Sequence, residues 1–257
     1  MTAQQKLIAF KTIVIKEVLR FSRIWVQTIV PPVITTTLYF VIFGNLIGPR
    51  IGDMEGIPYM DYIVPGLIMM TIITSSYANV VSSFYGSKFQ HNIEELLVSP
   101  TPNYLIVLGF VAGGVARGLA VGVAVTFVSL LFSNLQVHSL PVLLSVVVLT
   151  AILFSLAGLI NGIFATSFDD ISIIPTFVLT PLTYLGGIFY SIKMLSSFWQ
   201  TVSLANPILY MVNTFRFGFL GTSDISLIIS YSIISGFIII LFTYALHLLK
   251  TGYGIRQ

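Results

Sequence analysis

Lys88-Phe-Gln-His-Asn-Ile-Glu-Glu-Leu-Leu-Val-Ser-Pro-Thr-Pro102 stands between two long stretches that are almost free of charge. Within it Phe89, Ile93, Leu96 and Leu97 recur at helical spacing, while Lys88, Asn92, Glu94 and Glu95 fall largely on other sides. That pattern predicts a short amphipathic helix over residues 88–99. Pro100 and Pro102 end it, because proline lacks the N–H and clashes with a continuing helix. Such a surface suits contact with another protein, although an ordinary solvated loop helix shows the same pattern.

Composition sets the class of the chain. Of 257 residues, 56% are hydrophobic and 8% charged, with a mean hydropathy of +0.98. Soluble domains carry about 25% charged residues, so this is an integral membrane protein. Cysteine is absent, which excludes disulfides, thiolate metal sites and cysteine nucleophiles. The net charge of +3 is too small, and its basic residues too scattered, for a nucleic-acid partner. The first apolar segment follows a basic run without a small-residue cleavage pattern and is read as part of the mature chain.

A bilayer core of about 30 Å needs roughly 20 apolar residues as helix. The uncharged stretches 24–49 and 62–87 each supply one span. From 118 to 168 the chain carries no Asp, Glu, Lys or Arg, and residues 133–141 offer turn residues and a helix-starting proline midway. Spans at 104–132 and 141–166 follow. Asp169 and Asp170 mark a tight turn before a fifth span at 171–190, and a last span covers 225–249. The apolar segment 194–215 is interrupted by Asn206-Pro207, a helix cap followed by a first-turn proline, and each half is too short to cross. Lys6, Lys11, Lys16, Arg20 and Arg23 precede the first span, and Lys250 and Arg256 follow the last. The positive-inside rule then places both termini in the cytoplasm and demands an even number of crossings.

The expected fold is therefore all-α and integral to the membrane, a single domain over residues 1–257. An N-terminal amphipathic interfacial helix (1–23) has Leu7, Phe10, Val14, Val18 and Phe21 as its apolar stripe. A bundle of six transmembrane helices (24–249) includes re-entrant half-helices before the last span, and a cytoplasmic tail covers 250–257. The cations of the first helix face anionic lipid.

No phosphate loop, His-Glu-x-x-His or Gly-x-Ser-x-Gly pattern occurs, so the chain is expected to be no ATPase by itself and no enzyme. His138 and His247 are isolated, and no Asp or Glu lies deep in an expected span. Arg117 is the one charge near the middle of a span. It lines a path for a polar or anionic group, or else it caps carbonyls and ties helices together. Thr71, Ser75, Asn79, Ser82 and Ser83 form a polar stripe on the second span; Thr180, Thr183 and Tyr184 accompany Pro175 and Pro181 on the fifth. They read as walls of a route across the membrane or as helix-to-helix hydrogen bonds. Gly114, Gly118 and Gly122, with Gly158 and Gly162, permit close helix approach.

The segments Arg23-Ile-Trp-Val-Gln-Thr-Ile-Val-Pro-Pro, Tyr62-Ile-Val-Pro-Gly-Leu, Asn92-Ile-Glu-Glu-Leu-Leu-Val, Gly113-Gly-Val-Ala-Arg-Gly, Phe168-Asp-Asp-Ile-Ser and Pro175-Thr-Phe-Val-Leu-Thr-Pro carry a resemblance over essentially the whole chain. The chain resembles the type-2 permeases of ATP-binding-cassette exporters of the bacterial inner membrane. The resemblance implies a homodimer working with two copies of a separate ATPase subunit, which binds ATP and Mg, while this chain carries no cofactor. It implies that Lys88, Phe89, Asn92, Ile93, Glu94, Glu95, Leu96 and Leu97 form the coupling helix to that ATPase. Trp199, Asn206, Pro207 and Arg216, on the half-helices, would form the extracellular gate. The family's carbohydrate exporters have aromatic linings that are not legible in these spans. A secondary transporter or channel working without an ATPase is the competing class, and it should carry intramembrane carboxylates or inverted repeats.

Overall fold

In a lipid environment the backbone must satisfy its own hydrogen bonds, and uncharged runs accordingly become helix. The computed structural model describes residues 1–254. Arg256, counted above among the basic residues after the last span, lies outside them, as does the end of the expected tail. Helix α1 (Ala3–Arg23) starts from a capping box in which Thr2 and Gln5 exchange hydrogen bonds of 2.8 and 3.3 Å. A bend at Ile24 leads into α2 (Trp25–Ile51), which widens to a π-helical stretch at Phe40–Ile47. The strands β1 (Asp53–Met54) and β2 (Ile57–Pro58) then pair as a hairpin around Glu55 and Gly56, both at positive φ. The expectation of an all-helical chain overlooked this turn because its strands are only two residues long.

Helix α3 (Tyr59–Phe89) is the axis of the molecule, with 83% of its most apolar window buried. The short α4 (Asn92–Val98) is followed by α5 (Asn103–Ser129) and α6 (Leu140–Phe164), which pack on α3 and on each other. Glycine makes these contacts close. A Cβ at Gly158 would stand 2.5 Å from the Tyr77 carbonyl oxygen of α3. Gly158→Ala is therefore expected to lower the thermal midpoint of the purified protein, at about 1–3 kcal/mol for overpacking. An unchanged midpoint would mean that α3 and α6 part without cost.

Helix α7 (residues 170–184) consists of three five-residue pieces, with a π-helical middle at Pro175–Leu179. Its rise of about 22 Å falls short of a full hydrocarbon core. The expected fifth span to residue 190 is thus corrected: the chain turns at Gly187, in the left-handed region at φ 71°. Beyond a 3₁₀ turn at Ile192–Met194 come α8 (Ser197–Leu204) and α9 (Pro207–Leu220), separated at Asn206. Asn206 caps α9 by accepting from the Ile208 N–H at 3.0 Å, and its amide donates to Leu182 O at 2.6 Å. Helix α10 (Leu227–Thr251) completes the chain. Among the described residues, α2, α3, α5, α6 and α10 are the five helices long and apolar enough to cross a membrane. Only 17% of the window in α2 and 11% of that in α10 is buried, so both present apolar sides outward.

Candidate functional site

The short helix α4 sits at one end of the bundle, and what anchors it differs from the expectation. Lys88 lies on the last turn of α3 rather than on the short helix, and it points inward. Its ammonium donates to Ile163 O at 2.9 Å and Ala165 O at 2.8 Å, the carbonyls that end α6. A cation at a helix C-terminus is favourable because it satisfies orphan carbonyls and the helix dipole together. His91, in left-handed backbone at φ 59°, turns the chain into α4, where Ile93 is buried and Leu96 and Leu97 are half-buried. Glu94 and Glu95 are left exposed, and Asn92 bonds only to Gln90 at 3.1 Å. Beside them Phe89, 61% exposed, meets Phe168 at 5.1 Å between ring centroids, and Phe168 meets Tyr85 at 4.9 Å. Asp170 ties down the adjoining loop by accepting from the Thr166 N–H at 2.8 Å, the Thr166 hydroxyl at 2.7 Å and the Ser167 N–H at 3.0 Å. The outcome is a firmly held surface of two carboxylates among exposed aromatic rings.

Asn79 and Ser83 meet a carboxylate that the sequence analysis passed over. Glu17 of α1 is fully buried, and its Oε1 accepts from the Ser83 hydroxyl at 2.7 Å. Its Oε2 lies 3.4 Å from Nε of Arg20, whose Nη2 donates to Asn79 O at 2.9 Å and Asn79 Oδ1 at 2.8 Å. Gly113 of α5 makes the room, since a Cβ there would stand 2.5 Å from Cβ of Glu17. The inward face of α1 therefore runs through Ile13, Glu17 and Phe21, and Leu7, assigned to the stripe, is 52% exposed. The four-residue spacing of Ile13, Glu17 and Phe21 was the available signal. Helix α1 is pinned to α3 and α5 along part of its length instead of only lying on a surface. Arg117 is half-buried, its Nε has no partner, and no carboxylate among the described residues is within ion-pair distance of it.

The remaining residues assigned to a route do not gather in one place. The Thr71 hydroxyl bonds to Ile68 O at 2.7 Å, and Ser75 is buried on the same helix. The hydroxyls of Thr180 and Thr183 return to their own helix, donating to Pro175 O at 2.9 Å and Thr180 O at 2.7 Å, which satisfies carbonyls freed by the π-helical turn. Tyr184 differs. Its hydroxyl is 3.2 Å from that of Tyr39, which with Thr35, Thr36 and Thr71 lines a cleft of about 260 Å³ between α2 and α3. Phe43 and Phe189 stack nearby at 4.9 Å, so α2 and the turn after α7 assemble an aromatic group that no single segment displays.

At the opposite end from α4, Arg216 is buried, with its guanidinium 3.9 Å from the centre of the Tyr62 ring. It donates to Gly187 O at 2.7 Å and Tyr62 O at 3.3 Å, joining α9 to α3 and to the turn after α7. Trp199 is 47% exposed on α8, and Pro207 opens α9. Four further residues were missed. Lys193 reaches Asp224 at 2.6 Å and Glu55 at 3.4 Å, and the Ser191 hydroxyl donates to Glu55 at 2.6 Å. The hydrogen bond and negative charge of Asp224 push the Lys193 ammonium above its ordinary pKa. These contacts tie the segment before α8 to the loop after α9 and to the β-hairpin, with the break between the two helices at Asn206. Among the described residues no cluster of three His, Asp or Glu gathers as a metal site.

The ABC-2 type transporter family matches residues 8–220. The chain is 60% identical over 250 residues to the inner membrane transport permease YadH of Escherichia coli strain K12, covering 97% of this chain and 98% of the relative. The YadH permease of Shigella flexneri aligns with the same identity and coverage. Nodulation protein J of Rhizobium meliloti is 23% identical over 186 residues, 72% of this chain and 71% of the relative. With a pinned α1, an exposed acidic helix between two long spans and a broken pair before the last one, the chain belongs to the ABC-2 type transporter family.

Proposed function

We propose that this chain is the permease subunit of an ATP-driven exporter of the bacterial inner membrane, working as a homodimer with two copies of a separate ATPase that binds ATP and Mg. The observation that carries the reading is the α4 surface. A seven-residue helix is too short to be stable alone, yet here Lys88 and Ile93 lock its base while Glu94 and Glu95 stay exposed, Glu94 beside His91 at 3.0 Å. That is the arrangement of a lever head, which must meet a partner and pass its motion to α3 and α5. The α4 end is cytoplasmic in this reading, α7 together with the turn that follows it to residue 190 makes the sixth crossing, and α8 and α9 dip into the outer leaflet as the gate. Purification in mild detergent tests the partnership: an ATPase subunit should travel with the chain, and transport by the chain alone would overturn it in favour of a secondary transporter. A reporter fused after Thr201 is expected to read outside or interfacial, and one after Gln257 inside. A C-terminal reporter found outside would make the number of crossings odd and misplace the gate.

A further inference from the structure

Between α1 and the α4 end of α3 runs a groove that α4 borders at Asn92. It holds about 250 Å³ and is lined by Lys16, Arg20, Ser82, Ser83, Ser87 and Asn92, among others. Lys16, Ser87 and Asn92 also line a neighbouring groove of about 360 Å³, so the two share a wall. The Ser82 and Ser83 hydroxyls are spent on Ala78 O and Glu17, at 2.7 Å each, so the donors this groove offers outward are chiefly the Lys16 ammonium and the Ser87 hydroxyl, and its charge is unbalanced. Among the described residues Glu17, the carboxylate paired with Arg20, is buried behind it, while Lys16, which lines the groove, forms no ion pair. Glu95 is the one acid on the neighbouring groove. Uncompensated positive charge beside a low-dielectric interior favours an anion from outside. Next to the groove, α1 exposes Ile8, Ile15 and Leu19 by 57, 56 and 48%, a strip of apolar side chains running along the same helix.

We propose that this groove seats the phosphodiester head of an anionic lipid in the leaflet at the α4 end, with its acyl chains along Ile8, Ile15 and Leu19. Lys16 and Arg20 meet the phosphate, and Ser87 faces the glycerol side. Phosphate at an interfacial helix gains from each nearby cation, and the enclosed donors add a preference that a bare basic surface lacks. The site rests on α1 lying at a membrane surface and is independent of the pairing with an ATPase.

Native mass spectrometry of the detergent-purified full chain tests this, with phosphatidylglycerol and phosphatidylcholine of matched chains as probes. Phosphatidylglycerol is expected to bind about tenfold more tightly, and Lys16→Gln to weaken it about fivefold. Lys11→Gln, at an exposed position outside the groove, should leave affinity within about twofold. Equal binding of the two lipids, or equal effects of the two lysine variants, would overturn the proposal. Displacement of phosphatidylglycerol by millimolar inorganic phosphate would overturn it too, by making this a free-phosphate site. No ATPase or transport is read in the assay, so its failure is distinguishable from failure of the exporter reading.

Discussion

Glu17→Ala is expected to lower the stability of the purified protein by about 3 kcal/mol, the low end for breaking a buried pair, because Arg20 keeps partial exposure and its bonds to Asn79. For a chain of this size that corresponds to a fall of roughly 10 °C in the thermal midpoint. The physical reason is asymmetric. The carboxylate accepts from the Ser83 hydroxyl and stands beside the Arg20 guanidinium, so its removal strands a buried donor and a cation that has no second acid within reach. Glu17→Gln keeps one acceptor for Ser83 and loses the charge, so it should fall between alanine and wild type. A wild-type midpoint for Glu17→Ala would show that α1 is held by its apolar contacts alone, and that the polar cluster is incidental.

That the cluster went unseen in the sequence has a specific cause. Charge-free runs expose spans directly, because inserting a charge costs about 2.5–3.5 kcal/mol at a span centre, and α2, α3, α5, α6 and α10 start within three residues of where those runs place them. The break at Asn206 was equally legible, since a cap and a proline act locally. Glu17 sits outside every expected span, and only the pairing of α1 with α5 through Gly113 buries it, a non-local fact. Lys88 misled for the opposite reason: it falls beside the amphipathic pattern of α4, but the free carbonyls of α6 draw it inward. The aromatic group of Tyr39, Phe43, Tyr184 and Phe189 is spread over two segments more than a hundred residues apart in sequence.

Reversing the charge of Glu94 and Glu95 together should abolish transport while leaving the permease folded. Both side chains are exposed, and among the described residues Glu95 forms no ion pair and Glu94 pairs only with His91, at 3.0 Å. Exposed pairs of this kind contribute at most about 1 kcal/mol, so the thermal midpoint of Glu94→Lys with Glu95→Lys should stay close to wild type. Docking is another matter. A partner surface complementary to two carboxylates would meet two ammonium groups, and like charges juxtaposed across an interface cost several kcal/mol. A loss of about 3 kcal/mol is more than a hundredfold in affinity, enough to separate ATPase from permease at micromolar concentrations. The discriminating pair of measurements is co-purification of the ATPase and transport in proteoliposomes, with Lys88→Met as a contrast. That second variant removes the clamp on α6 and should lower the midpoint, because the carbonyls of Ile163 and Ala165 lose their donor. Loss of co-purification without loss of stability in the double reversal is the signature of a docking surface. Normal ATPase binding and transport in that variant would mean that motion enters the permease elsewhere, and the α4 surface would then be an ordinary solvated turn.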